Sequence, residues 1–238
     1  MSNGVLLFEG MTCGFLTGDF KISINENGDI ESCAILSTVY NVIPVWLRIA
    51  RDNLRLAQTA HEEIINEWSQ SPVSQKALLI SELAPSMQVI VACGITLDGL
   101  YEMLRPHAII SEQDIQNWQK NRTSRGAQIF EIIRRSYRLN NEISKKFKAS
   151  IRQIIKLRDM AVHPSLELKN AILRPDISVG VDWRFGAFCF NNAKNCFEST
   201  INMLAFLYEH PRSTQANHEA MVNIFLSLQE LGVVRINP

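Results

Sequence analysis

The residues whose types and spacing suit chemistry lie in one octapeptide, Leu157-Arg158-Asp159-Met160-Ala161-Val162-His163-Pro164. A guanidinium can hold a phosphate and stabilise charge that develops on it. An imidazole can take or give a proton near neutral pH, and a neighbouring carboxylate can orient either group. Arg158 and Asp159 stand among apolar residues, where charge is costly unless it is paired or used. Two readings stand side by side: a structural Arg–Asp pair near the end of a helix whose last residue is histidine, or a constellation for proton transfer at a phosphate.

Helical geometry sets the first constraint. At 100° per residue, Phe147, Ile151, Ile154, Ile155, Arg158 and Val162 share an arc of roughly 100°. Arg158 therefore points with the apolar stripe, toward the bundle or a partner subunit. Lys145, Lys148, Arg152, Lys156 and Asp159 occupy the adjoining flank. Arg158 and His163 are about 140° apart on a straight helix and do not converge. Pro164 pushes the residue before it out of the α region, which frees His163 to swing back toward Arg158. There it meets the negative end of the helix dipole, which favours the protonated ring.

The elements that must position these groups are mostly helical. Residues 39–70 carry apolar positions at Trp46, Ile49, Leu54, Leu56, Ile64, Ile65 and Trp68, with Pro44 in the first turn. Ser71-Pro72 breaks the pattern. A short helix is expected from Ser74 to Leu83, and Pro85 then opens a longer one to Leu104, stopped by Arg105-Pro106. Ser111 caps a short helix to Lys120, with Asp114 at its third position. Helices over Ser124–Leu139 and Asn141–Val162 follow. Between Pro164 and Phe190 the helical period is lost, and Val179, Val181, Trp183 and Phe185 alternate as in a strand. Helices return over Asn191–Tyr208 and Gln215–Leu231, the last ending at Gly232. At the other end, Phe20 to Asn25 alternates, Asn27-Gly28 signals a turn, and Ile30 to Ile35 returns. The expected architecture is an all-α helical bundle (37–238) with a small N-terminal β-hairpin (1–36) packed on it and a strand-like insertion before the penultimate helix.

Composition fits a folded globule: 238 residues, 46% hydrophobic and 20% charged. Net charge is zero, from 24 basic and 24 acidic residues, which argues against generic polyanion binding. The charge is unevenly spread, however. Residues 119–158 hold twelve basic side chains against two acids, Glu131 and Glu142, so the remainder holds 12 basic and 22 acidic. That split reads as a positive surface on an otherwise acidic protein. The five cysteines (Cys13, Cys33, Cys93, Cys189, Cys196) contain no C-x-x-C pair, so no zinc ribbon or disulfide scaffold is expected and a reducing cytoplasm fits. The N-terminus has no basic region followed by an apolar core of the signal-peptide type. No apolar run approaches the ~20 residues that span a bilayer.

An arginine, a polar residue, a few more residues and a histidine near the end of a helix in an all-helical bundle resembles the HEPN superfamily, the higher eukaryotes and prokaryotes nucleotide-binding domain. Arg158, Asp159 and His163 carry the match, with four residues between Arg and His. The run Ala92-Cys93-Gly94-Ile95-Thr96-Leu97-Asp98-Gly99-Leu100-Tyr101-Glu102 and the Asn191–Tyr208 helix are also similar, so the resemblance covers 39–210.

The resemblance implies a metal-independent endoribonuclease without a cofactor, often a toxin or antiviral effector, working as a homodimer whose two motifs face one cleft. It implies His163 as general base on a ribose 2′-hydroxyl or as acid to the leaving 5′-oxygen. Arg158 would sit on the scissile phosphate, and Asp159 would orient His163 or Arg158. The basic flank (Arg134, Arg138, Lys145, Lys148, Arg152, Lys156) then tracks the RNA backbone. An antitoxin or regulatory protein is a further implied partner. The position two after the histidine, a modifiable tyrosine in some such toxins, is Ser165 here. The family equally includes non-catalytic dimerisation, nucleotide-binding and protein-interaction modules.

Other signals add little. Asp98 and Glu102, with Tyr101 beside them, are either a second acid in a cleft or a bundle ion pair. Trp183-Arg184-Phe185 stacks a base or packs as an aromatic edge. His61-Glu62-Glu63 starts like a zinc-protease helix, but Ile65 stands where the second ligand belongs. The chain has no P-loop, dinucleotide fingerprint or G-x-S-x-G elbow.

Overall fold

A computed structural model describes residues 5–8, 11–68, 71–163, 165–209 and 214–234. The chain divides into two compact units, Met1–Val42 and Ile43–Pro238. Pro164, to which the closing of the central basic helix is ascribed above, lies outside the described residues.

In the first unit, β2 (Phe20–Ile24) pairs antiparallel with β3 (Ile30–Ala34), with Ile24 opposite Ile30. Asn25 organises the turn: its Oδ1 accepts the N–H groups of Asn27 and Asp29, and Gly28 supplies the positive φ of 86°. The expected hairpin is thus present, and a second ladder lies outside it, β1 (Met11–Gly14) against β4 (Ser37–Tyr40). Those strands are too short and too little alternating to announce themselves. Asp19 ties the two ladders, accepting from Leu16 N–H and Ser37 Oγ.

The second unit is helical. Helix α1 (Ile43–Glu67) buries Leu47, Ala50, Ala57, Ala60 and Ile64, at spacings of three, four and seven. Its inner face is therefore built largely on alanines, whereas Leu56 and Ile65, expected inside, are exposed. Small residues let α1 lie close along α2 (Pro72–Leu104). Ser71 caps α2 and Pro72 opens it, but the expected division at Pro85 is not there: one helix runs through that proline. An interior proline costs about 3 kcal/mol, which is small against the burial of Val89, Ile90, Cys93, Leu97, Leu100 and Leu104 beyond it. Pro72–His107 is also long and apolar enough to cross a membrane, with mean hydropathy 1.7 over 18 of its residues, although the sequence shows no unbroken apolar run of that length. In the bundle it is the central helix, against which α1, α4, α5 and α7 pack.

A 3₁₀ turn at Arg105–His107 ends α2. Helix α3 (Glu112–Lys120) starts with the expected capping box of Ser111 and Asp114. Helices α4 (Arg125–Tyr137) and α5 (Asn141–Val162) follow, capped by Ser124 and Asn140. Next come the β5 (Ile172–Arg174) and β6 (Val179–Val181) hairpin, the short α6 (Trp183–Ala187), α7 (Phe190–Glu209) and α8 (Gln215–Glu230). The strand expected through Phe185 stops at Val181, because the Asp182 carboxylate accepts the Arg184 N–H and starts a helical turn.

Candidate nucleic-acid interface

Helices α4 and α5 form an antiparallel hairpin closed by Leu139 and Asn140. Arg138 makes the turn in the left-handed region, φ 48°, and donates its N–H to Arg134 O. The register is read from two contacts: Lys148 Nζ lies 5.7 Å from the Phe130 ring centroid, and Gly126 faces Ile155. At 100° per residue Lys145, Lys148, Arg152, Lys156, Asp159 and His163 fall within about 80° of one another. All six are exposed. His163 thus continues the basic flank of α5, and its backbone N–H closes the helix on Asp159 O at 2.9 Å.

At the α4 start and α5 end this flank opens into a cavity of about 800 Å³. Ile155, Leu157 and Met160 give it apolar lining, and Arg152, Lys156, Asp159 and His163 give it charge and an imidazole. Ser124 and Gly126 also line it, so the positive end of the α4 dipole adds to the two cations. The arrangement suits an anion with an apolar neighbour, such as a phosphate next to a base.

Arg158 takes a different place. Its side chain is 18% exposed and pairs with α2, Nη1 donating to Asp98 Oδ2 at 2.9 Å. Nε lies 2.8 Å from Asp159 Oδ1, close as an ion pair but not aligned as a hydrogen bond. The stem runs over Gly94, where a Cβ would come 2.6 Å from Arg158 Cγ. Only glycine permits that approach. Asp98 also accepts from Arg125 Nε at 2.7 Å, Arg125 reaches Glu102 at 3.0 Å, and its guanidinium lies 3.7 Å over the Tyr101 ring. Asp98 and Glu102 are therefore an ion-paired feature of the bundle. Arg158 does not line the cavity, and its side chain makes no hydrogen bond or ion pair with His163.

Arg134 and Arg138 lie at the other end of α4, where with Arg135, Ile109 and Leu139 they line a cavity of about 550 Å³. Glu131 accepts from Arg134 Nε at 2.8 Å and Nη2 at 2.6 Å, and from Arg135 Nε at 2.6 Å. The Arg134 hydrogen bond leads in holding the Glu131 carboxyl below its ordinary range. Arg135 also reaches Asp114 at 2.7 Å and Ile109 O at 3.1 Å. Trp183 is buried, with the Arg184 guanidinium 4.7 Å and Lys169 Nζ 4.8 Å from its ring. The aromatic edge is thus packed on the bundle.

One charged cluster has no counterpart in the sequence reading. Glu82, 1% exposed, accepts from Arg174 Nη1 at 2.5 Å and from Phe190 N–H at 3.1 Å, and lies 2.9 Å from His61 Nδ1. Arg174, 4% exposed, also pairs with Asp176. The sequence marks it as it marks Arg158, by a charge in an apolar stretch, here Glu82 between Leu79 and Leu83. Among the described residues no group of three His, Cys, Asp or Glu side chains is arranged to hold a metal ion. No family model, curated protein or solved structure matches the chain.

Proposed function

We propose that this protein binds single-stranded RNA along the α4–α5 face and cleaves it without a metal ion in the cavity beside His163, in the manner the HEPN resemblance implies. One observation carries the reading: His163 and Asp159 share a cavity with the cations Arg152 and Lys156. His163 takes the proton of a ribose 2′-hydroxyl; the 2′-oxygen forms a bond to phosphorus and the bond to the 5′-oxygen breaks. The leaving oxygen takes a proton from water, giving a 2′,3′-cyclic phosphate and a 5′-hydroxyl. Arg152 and Lys156 stabilise the extra charge on the phosphate. Arg158 acts through Asp159, whose carboxylate it holds at 2.8 Å. This revises the role the resemblance alone gives it.

A homodimer belongs to the same reading. Val162, Leu166 and Leu168 flank His163 in sequence, and the two leucines are 95% and 98% exposed, an apolar edge suited to a second copy. A toxin or antiviral role, and an antitoxin or regulatory partner, rest on the resemblance only. The test is incubation of purified protein with single-stranded RNA in EDTA. Cleavage to cyclic-phosphate ends is expected, with His163→Ala slower by ~10²–10⁴ while fold and dimer persist. A wild-type protein that cuts no RNA overturns the catalytic reading.

A second reading is favoured by Arg158 itself. Held by Asp98 and Asp159 outside the cavity, it serves a non-catalytic HEPN-like module that binds a nucleotide or a protein or dimerises. RNA binding without cleavage, unaffected by His163→Ala, selects that reading.

A further inference from the structure

We infer that the arginine cavity at the C-terminal end of α4 is a second RNA anchor, gripping a backbone phosphate several nucleotides from the His163 cavity. The inference rests on the RNA-binding part of the proposed function and adds a length requirement to the substrate. The charge balance of this cavity is its first support. Three guanidiniums meet two carboxylates, Glu131 and Asp114. Arg134 is committed to Glu131, and Arg135 to Glu131, Asp114 and Ile109 O. Arg138 is exposed and makes no hydrogen bond or ion pair through its side chain among the described residues, so one positive charge is left over. Arg134 and Arg135 are held in place by their carboxylates, which fixes the donors around the free one.

The second support is the backbone at Arg138. A φ of 48° is a position where glycine is the unstrained choice for ending a helix. An arginine there gives up stability and gains a cation at the cavity mouth. The apolar wall of Ile109, 81% exposed, and Leu139 gives a base something to lie against.

The third support is continuity. From the arginine cavity, Lys145 and Lys148 lead along one face of α5 to Arg152 and Lys156 at the other cavity, and neither lysine is ion-paired among the described residues. Twelve helical steps from Gly126 to Arg138 cover about 18 Å at 1.5 Å per residue. At about 3.4 Å per nucleotide in a stacked strand, about five phosphates bridge the cavities. A fragment of three nucleotides fills one cavity; only a longer strand holds both.

The test uses binding alone, so it does not depend on catalysis. Uncleavable 2′-O-methyl oligoribonucleotides of three and twelve nucleotides are titrated against wild type, Arg138→Glu and Arg138→Gly. The glycine variant suits the positive φ and removes the charge, so a loss of binding cannot be ascribed to misfolding. Wild type is expected to favour the 12-mer strongly. Both variants should narrow the ratio of the two affinities severalfold and lower the salt slope of 12-mer binding by about 0.7. An unaltered ratio and slope in both variants overturns the second anchor and leaves RNA binding at the His163 cavity standing. Wild type that binds neither oligonucleotide overturns both proposals.

Discussion

Two charged regions of the helical unit obey opposite rules. Around Glu82 every charge is answered, and Glu82 and Arg174 are buried: Arg174 meets Glu82 and Asp176, Glu82 also His61 and a backbone N–H. Along α5 the cations Lys145, Lys148, Arg152 and Lys156 are exposed and outnumber the acids near them. Desolvation accounts for the first rule, since a buried charge without a partner costs several kcal/mol. Water accounts for the second, since an exposed cation needs no partner to be stable. A charge arrangement that stability does not require points to a ligand; one that stability does require points to architecture.

The sharpest way to break the comparison is to remove one buried partner. Glu82→Ala leaves Arg174 buried with Asp176 alone and should cost about 3–5 kcal/mol, a fall in Tm on the order of 10 °C for a domain of this size. Calorimetry or thermal circular dichroism reads it. A loss below 1 kcal/mol would mean that water already reaches the cluster. Reversal of Lys145 and Lys148 to Glu is the counterpart. RNA affinity should fall about tenfold or more and the salt slope by about 1.4, while Tm moves by no more than about 2 °C. Equal damage to stability would put these lysines among the architectural charges.

Legibility in the sequence follows the same division. The ends of α5, the capping box of Ser111 and Asp114 and the Asn27-Gly28 turn are local, and each was readable from a few neighbouring residues. The basic flank was readable too, because it repeats along one helix. Partners distant in the chain were not: Arg158 meets Asp98 60 residues away and Arg174 meets Glu82 92 away. Only packing brings such groups together. Pro85 misled for the same reason, since a proline's effect on a helix is local and the burial that overrides it is tertiary.

Arg158 stands between the two regions, and Gly94→Ala asks to which it belongs. The new Cβ would meet Arg158 Cγ at 2.6 Å, so the arginine stem must shift, at about 1–3 kcal/mol. The expected outcome is a Tm lower by several degrees together with slower RNA cleavage, because Asp159 loses the guanidinium that holds it. A lower Tm with cleavage and RNA affinity as in wild type would assign Arg158 to the architecture, together with Glu82 and Arg174.

The smallest expected effect concerns Asp114, which joins the start of α3 to the arginine cavity. The Arg135 hydrogen bond, followed by those from Ser111, holds its carboxyl well below the usual 3.8. The folded state therefore resists protonation more than the unfolded chain does, and stability rises with pH in this range. The contribution is complete above about pH 5 and is lost as pH falls through 3.8 toward the lower folded value. Asp114→Asn removes it. At pH 7 the variant should melt on the order of 1–2 °C below wild type, because the pair is partly exposed and screened. Below pH 5 the gap should begin to narrow, as the unfolded wild-type chain takes up the proton that the folded state still resists. A gap that stays constant down to pH 3 would show that the side chain acts by capping α3 alone, and that Arg135 owes its place in the cavity to Glu131.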